Sequence, residues 1–178
     1  MKKQTLINNW KAICILMLLI TLLFTACSSQ MPTPTQTPIP IEKLPVDYTV
    51  EMAKNNGDFI NKFGQNINEN VMNDFIKKVS KKERAFVRTV NITDEGDPVI
   101  IDFLYLNDKF IVTLDATRDG YASETSRKII TYERKNLIVT ENNGRKFYIV
   151  TNLEKITEET YAKNMYEGFI LKSDPISK

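Results

Sequence analysis

Histidine is absent from the 178 residues, and there are only two cysteines, one tryptophan and six glycines. Without histidine, a Ser-His-Asp or Cys-His nucleophile system cannot be assembled. The commonest general base and the imidazole ligands of a zinc site are missing with it. An excess of one charge is lacking too: 24 Lys plus Arg stand against 22 Asp plus Glu, a formal +2. With 42% hydrophobic and 26% charged residues, the composition is that of a globular chain, neither disordered nor fibrous. Its length suits one domain with appendages, able to bury a core without disulfides.

What is present begins with an address. Lys2, Lys3 and Lys11 make a positive N-terminal region, and no acidic residue precedes Glu42. Ala12 to Phe24 is then a mostly apolar run, interrupted only by Thr21. It is short of the roughly 20 residues a bilayer-spanning helix needs, and matches the apolar region of a signal peptide. The run ends in Leu23-Phe24-Thr25-Ala26-Cys27, which resembles the lipobox of bacterial lipoproteins, with small residues before a cysteine. Phe24 departs from the usual Leu. The resemblance implies diacylglyceryl modification of Cys27, cleavage after Ala26 and anchoring at the extracytoplasmic face of the cell membrane. Two acyl chains hold a protein there stably, where one is marginal. The competing readings are an ordinary signal peptide with an incidental cysteine and an uncleaved anchor. Removing residues 1–26 takes away Trp10, Cys14 and three lysines, leaving 21 basic and 22 acidic residues. The +2 therefore belongs to the export signal, and no nucleic-acid partner is expected.

Residues 27–46 read as a lipidated Cys followed by a Pro/Thr-rich stalk. Five of the seven prolines fall here: Pro32, Pro34, Pro38, Pro40 and Pro45. Proline fixes φ and removes a donor, so neither helix nor ladder is expected. A solvated polyproline-like spacer is the reading, reaching up to roughly 60 Å at about 3.1 Å per residue. A proline-rich recognition ligand is the alternative.

A folded domain is expected over residues 47–151, with 152–178 as a C-terminal extension that includes a helix. Thr49 caps a short helix containing Glu51, Met52 and Lys54, stopped by Gly57. Asp58 to Phe63 is a short extended piece broken by Gly64. Asn68 caps a stronger helix, on which Val71, Met72, Phe75, Ile76 and Val79 form one apolar face. From Arg84 the period changes to two. Arg84–Thr93 and Val99–Leu106 flank the turn Asp94-Glu95-Gly96-Asp97-Pro98, and Asn107-Asp108 turns the chain back along Lys109–Ala116. Val99, Ile101, Phe103 and Tyr105 then face Phe110, Val112, Leu114 and Ala116 and meet the helix. Arg118–Ser126 is a polar loop. Arg127–Glu133, Leu137–Glu141 and Lys146–Thr151 continue as strands, with Asn143-Gly144 a type I′ hairpin signal. Thr157 starts a last helix running to Glu167. The fold class is α+β: an antiparallel meander of about five or six strands with one or two N-terminal helices on one face.

Three segments carry a family resemblance: Ala53-Lys54-Asn55-Asn56-Gly57-Asp58, Glu95-Gly96-Asp97-Pro98 and Asp115-Ala116-Thr117-Arg118-Asp119. In order and spacing the chain resembles domain of unknown function 4362, found in small lipoproteins of Gram-positive, spore-forming bacteria. That resemblance supports an exported setting and implies no activity. Members often carry a cysteine pair in the last strands; this chain has none there.

On the outer sheet face, Asp102 shares a row with Ile100 and Leu104. Thr113 is expected opposite it, with Asp115 and Arg88 on the diagonals, and Arg118 and Asp119 leave the same end of the sheet. Arg88, Asp102, Asp115, Arg118 and Asp119 are therefore the candidate binding residues, against the plainer reading of a solvated face with weak ion pairs. The Asp94-Glu95-Gly96-Asp97 run lacks the spaced oxygen ligands of a calcium loop, so no metal is expected. No cofactor is expected either. Carboxylate pairs such as Asp102 with Asp115, or Glu95 with Asp97, leave a carboxylate-dependent hydrolase of envelope polysaccharide as the alternative function. The expected function is a non-catalytic binding or interaction module at the cell envelope, its partner an unknown envelope protein or ligand.

Overall fold

The computed structural model describes residues 38–157 and 168–176, and Ile39–Lys178 forms one compact unit. The apolar leader, Cys27 and the expected helix beyond Thr157 lie outside the described residues. Among the described residues, no helix is long and apolar enough to cross a membrane.

The protein is α+β, with two helices and a mostly antiparallel six-stranded sheet. Helix α1 (Val50–Asn56) begins where Thr49 Oγ1 accepts from Met52 N–H at 3.2 Å. It stops at Gly57, whose left-handed conformation (φ 78°) lets its N–H return to the last carbonyls. Strands β1 (Phe59–Lys62) and β2 (Gln65–Ile67) form a tight hairpin through Phe63-Gly64, both at positive φ. Sequence reading stops at the Gly64 break and misses β2, which is only three residues long. Helix α2 (Glu69–Ser80) buries Met72, Phe75 and Val79, the face its periodicity predicts. Asn68 stands at its start but does not cap it. It lies in the left-handed region, and its Nδ2 donates to Lys54 O and Asp58 O instead, tying α2 to the end of α1.

The sheet continues through β3 (Ala85–Ile92), β4 (Pro98–Leu106), β5 (Lys109–Asp115) and β6 (Ile129–Arg134) in the order β2-β1-β3-β4-β5-β6. All pairings are antiparallel except β1 with β3, which α2 connects as a crossover. The β4–β5 register is the expected one: Tyr105 faces Phe110, Phe103 faces Val112 and Ile101 faces Leu114. Asn107 and Asp108 both take positive φ, as a two-residue hairpin demands.

The meander ends at β6. Strands β7 (Asn136–Asn142), β8 (Arg145–Thr151) and β9 (Phe169–Pro175) form a separate three-stranded sheet. Only Lys135 separates β6 from β7, too little for a hairpin, which needs two residues. The chain therefore bends away, and β8 and β9 bring Val150 and Leu171 onto the main core. Strand β9 falls where sequence reading assigns no strand. Lys172 on it is buried, with Nζ 2.7 Å from Asn73 Oδ1 and 2.8 Å from Asp174 Oδ2. The Asn73 contact, with Glu69 Oε1 at 3.6 Å, fastens β9 to α2, while Asp174 is a partner within β9.

Both faces of the six-stranded sheet carry packed residues, the outer one only over β1, β3 and β4; toward β6 it is open, with Ile129 41% exposed and the Thr113–Thr131 hydroxyl pair in solvent. On one, Phe59, Val87, Phe103, Phe110 and Val112 pack against Met72, Phe75 and Val79 of α2. On the other, Ile60, Val90 and Ile100 are sealed by Ile41, Leu44, Tyr48 and Ala53. The packed chain thus begins near Ile39, ahead of the expected boundary at Asp47. Residues 39–48 form a strap with a single 3-10 turn at Ile41–Lys43. The physical reason is the spacing of Ile41, Leu44 and Tyr48, which carries three large apolar groups over an otherwise bare sheet face.

Candidate functional site

The strap changes the meaning of the arginines and their carboxylate partners on the outer face. Arg88 and Asp102 are direct partners across β3 and β4, not diagonal neighbours. Arg88 Nε lies 2.6 Å from Asp102 Oδ1, and Nη2 lies 2.7 Å from Oδ2. Such a fork-to-fork pair is the strong geometry for arginine and carboxylate. The same Nη2 donates to Ile39 O at 2.7 Å, so the pair also pins the start of the strap. Arg88 is 5% exposed, which removes it from the solvated face that sequence reading offers as the plain alternative.

Asp115 sits diagonally from Asp102, opposite Ile100, as expected. It is 1% exposed. Its Oδ1 accepts from Thr117 N–H at 2.9 Å and Thr117 Oγ1 at 2.6 Å, and its Oδ2 pairs with Arg118 Nη1. Arg118 Nε and Nη2 then donate to Pro45 O and Leu44 O, each at 3.0 Å. Two arginines therefore latch the two ends of the strap. Asp119 stands apart: its Oδ1 accepts from Tyr121 N–H and Ala122 N–H within its own loop. The structure thus brings Arg88 together with Asp102 and Asp115 with Arg118, and leaves Asp119 as a turn residue.

Beneath the strap lies a network that sequence reading misses. Tyr48 donates to Asp58 Oδ2 at 2.5 Å, and Asn56 Nδ2 donates to the Tyr48 oxygen at 2.8 Å. Burial pushes the Asp58 carboxyl from 3.8 up to about 6, against the pull of the Tyr48 hydrogen bond and the Arg88 charge. Burial and the adjacent Asp58 push the Tyr48 phenol up to about 12. Burial also raises the Asp102 carboxyl, opposed by Arg88. The available signal was Tyr48 itself, an aromatic at the start of the expected domain, four residues after Leu44 at the end of the expected stalk.

Asp58 has a consequence for stability. Its folded pKa lies above its unfolded one, so the folded chain holds the proton more tightly. That contribution is full below about pH 4 and is lost as pH rises through about 6. Relative to Asp58→Asn, which titrates nowhere in this range, the wild type is expected to lose on the order of 2 kcal/mol between pH 4 and 7, allowing for residual solvent screening. Urea midpoints of both proteins across that range check it; parallel profiles would mean Asp58 is not strained by burial.

One open feature lies where the strap enters α1. A cleft of about 370 Å³ is lined by Val46, Asp47, Val50, Ile92, Asp97 and Pro98, with Arg118 in its wall. Asp97 is positioned by the β3–β4 turn, where Thr93 Oγ1 accepts from Asp97 N–H at 3.0 Å. Its Oδ2 accepts from Gly120 N–H at 2.8 Å. A Cβ on Gly120 would lie 3.2 Å from that oxygen, so the absence of a side chain permits the approach. Among the described residues, no group of three or more acidic or cysteine side chains is placed to hold a metal ion.

The architecture defines a small α+β domain whose sheet is packed by a helix on one face and, over part of the other, by an arginine-latched strap. The chain belongs to the family described as domain of unknown function (DUF4362), which matches residues 56–148, more than half its length. That stretch runs from the end of α1 into β8 and includes Asp58, both latch pairs and Asp97, while the strap precedes it. No curated protein and no solved structure matches the chain.

Proposed function

We propose that the protein is a lipid-anchored, extracytoplasmic binding module of the cell envelope, held through Cys27 and without catalytic activity. The observation that carries the binding reading is the use of the ionisable groups on the outer face. Arg88, Asp102, Asp115 and Arg118 are paired with one another and with strap carbonyls, so they serve the fold. The surface available to a partner is the cleft end of the domain, where Val46 is 89% exposed beside the carboxylates of Asp47 and Asp97, and Tyr121, which follows the Gly120 that donates to Asp97, is 78% exposed. Large apolar side chains left in water beside a concavity suit a contact surface. Anchoring is supported by the short apolar run that ends at Cys27 behind three lysines. On this reading the spacer ends where the strap begins and is shorter than the Pro/Thr-rich stretch suggests.

The mass of the mature N-terminus in its native host tests the anchor. A chain beginning at Cys27 and carrying a diacylglyceryl group is expected. An unmodified Cys27, or a chain still beginning at Met1, would overturn it. Release of sugars from cell-wall fractions, abolished by changing one acid, would replace the binding module with a hydrolase.

A further inference from the structure

On the strap side of the sheet, the carboxylates Asp58, Asp102 and Asp115 share two arginines. Asp102 is gripped by Arg88 and Asp115 by Arg118. Asp58, buried at the entry to β1, is the carboxylate left over. Among the described residues it has no ion pair. The charged and titratable groups that act on it are Tyr48 from the strap, Arg88 from β3 and Asp102 from β4. Arg88 attracts its ionised form but is committed to Asp102, whose own charge opposes it. Helix α1 offers only the Asn56 amide, which goes to the Tyr48 oxygen, and Asn68 before α2 binds the Asp58 carbonyl. The hydrogen bond to the carboxyl comes from Tyr48. The strap that carries Tyr48 is the weakest cover over Asp58. It joins neither sheet as a strand, and its other polar attachments are three main-chain carbonyls held by Arg88 and Arg118. Pro45, Val46 and Asp47, just ahead of Tyr48, are exposed. Such a segment opens before a sheet does.

From this juxtaposition we propose that the strap is a pH-dependent latch: it lies closed over the sheet while Asp58 is protonated, and it opens far more readily once Asp58 ionises. Opening bares Ile60, Val90 and Ile100, the apolar face the strap seals. Burial sets the sign. With the strap closed it raises the Asp58 carboxyl from 3.8 to about 6, although the Tyr48 hydrogen bond and the Arg88 charge pull the other way. With the strap open, water reaches the carboxyl and returns it toward its ordinary value. The closed form thus holds the proton more tightly, so closure is strongest below about pH 4, weakens as pH rises to about 6 and levels off above. A shift of about two pH units sets a ceiling of roughly a hundredfold on the change in opening. About tenfold is expected, because Asp58 stays against the sheet and is only partly rehydrated.

The test is amide hydrogen exchange of the full chain between pH 4.5 and 7.5, each rate divided by the intrinsic rate at that pH. It is read on the strap, where Lys43 and Leu44 N–H are bonded to Pro40 O and Ile41 O, and on β4 and β5. In wild type the strap is expected to be less protected than β4 and β5, and to lose about tenfold of its protection across the range. Asp58→Asn, which cannot ionise, is expected to cut that loss to below about threefold. Tyr48→Phe keeps the ring and removes the donor that favours the ionised carboxyl, so its fall in protection is expected at higher pH than in wild type. A strap whose protection is flat while that of β4 and β5 falls would overturn the latch, because Asp58 would then reach water only on global unfolding. A strap as protected as β4 and β5, or a pH dependence unchanged in Asp58→Asn, would overturn it too. Should Asp58→Asn fail to fold, Tyr48→Phe decides: a fall at higher pH supports the latch, and a fall at the wild-type pH or below overturns it.

Discussion

Replacing Arg88 by alanine is expected to destabilise the domain by about 3–5 kcal/mol in urea denaturation at pH 7. The guanidinium sits at 4% side-chain exposure between Asp102, which it grips through two oxygens, and the Ile39 carbonyl. Its charge also reaches Asp58. Removing it leaves two carboxylates under the strap with no cation, and an orphaned buried charge costs far more than a buried pair contributes. Two further variants separate that effect from lost packing. Arg88→Met combined with Asp102→Leu is expected to recover most of the loss, because it removes both charges and keeps volume. Arg88→Lys is expected to fall between, since an ammonium cannot hold both carboxylate oxygens and Ile39 O in one plane. Without the cation, protonation of Asp58 and Asp102 relieves the strain, so Arg88→Ala should lose more of its stability than wild type as pH rises from 4 to 7. A cost below about 1 kcal/mol, the range of exposed ion pairs, would show that this face is solvated.

The helices and the β3–β4–β5 register were legible because each carries its own local signal. Thr49 and Gly57 bracket α1, the apolar face of α2 repeats at helical spacing, and Asn107-Asp108 permits one hairpin geometry. Arg88, Asp102, Asp115 and Arg118 were legible as a group for the same reason: strand alternation puts the first three on one face, and Arg118 follows close behind. What they do was not legible, because it depends on residues about fifty or seventy positions away, Ile39 for Arg88 and Leu44 and Pro45 for Arg118. A proline-rich composition argues against α-helix and ladder, and described residues 38–46 hold only a 3-10 turn, yet composition is silent on packing. Ile41, Leu44 and Tyr48 are buried with no more regular structure than the 3-10 turn at Ile41–Lys43. The departure of β7 was not legible, because the strands expected from the sequence, Arg127–Glu133 and Leu137–Glu141, leave three residues between them, enough for a hairpin, and only the observed boundaries reduce the gap to Lys135. Nor was the partner of β9, since its pairing spans a stretch with no strand signal.

Residues 39–46 thus admit two physical descriptions with very different energetics, and one pair of substitutions separates them. In a solvated stalk, Ile41→Ala and Leu44→Ala would each stay within about 0.5 kcal/mol of wild type, as surface changes do. In the packed strap, Ile41 and Leu44 are 4% and 5% exposed over Ile60, Val90 and Ile100, all at 0%. Truncating a buried Ile or Leu to Ala typically costs 2–5 kcal/mol, least where the site can collapse onto the gap. A strap is a chain segment with one free side and collapses more readily than a core helix. About 2 kcal/mol for each change, and about 4 kcal/mol for the pair, is therefore the expected loss. Val46→Ala, at 89% exposure, is the internal control and should be neutral. Limited trypsin digestion gives an independent reading at Lys43, which lies in the 3-10 turn between the two buried side chains. Cleavage there is expected to be slow in wild type and in Val46→Ala and fast in the double variant, because a protease needs the segment released and extended. Rapid cleavage of the wild type at Lys43 with neutral alanine substitutions would return the segment to the stalk. It would also leave the Arg88 and Arg118 latches without a structural purpose, so the two predictions stand or fall on the same strap.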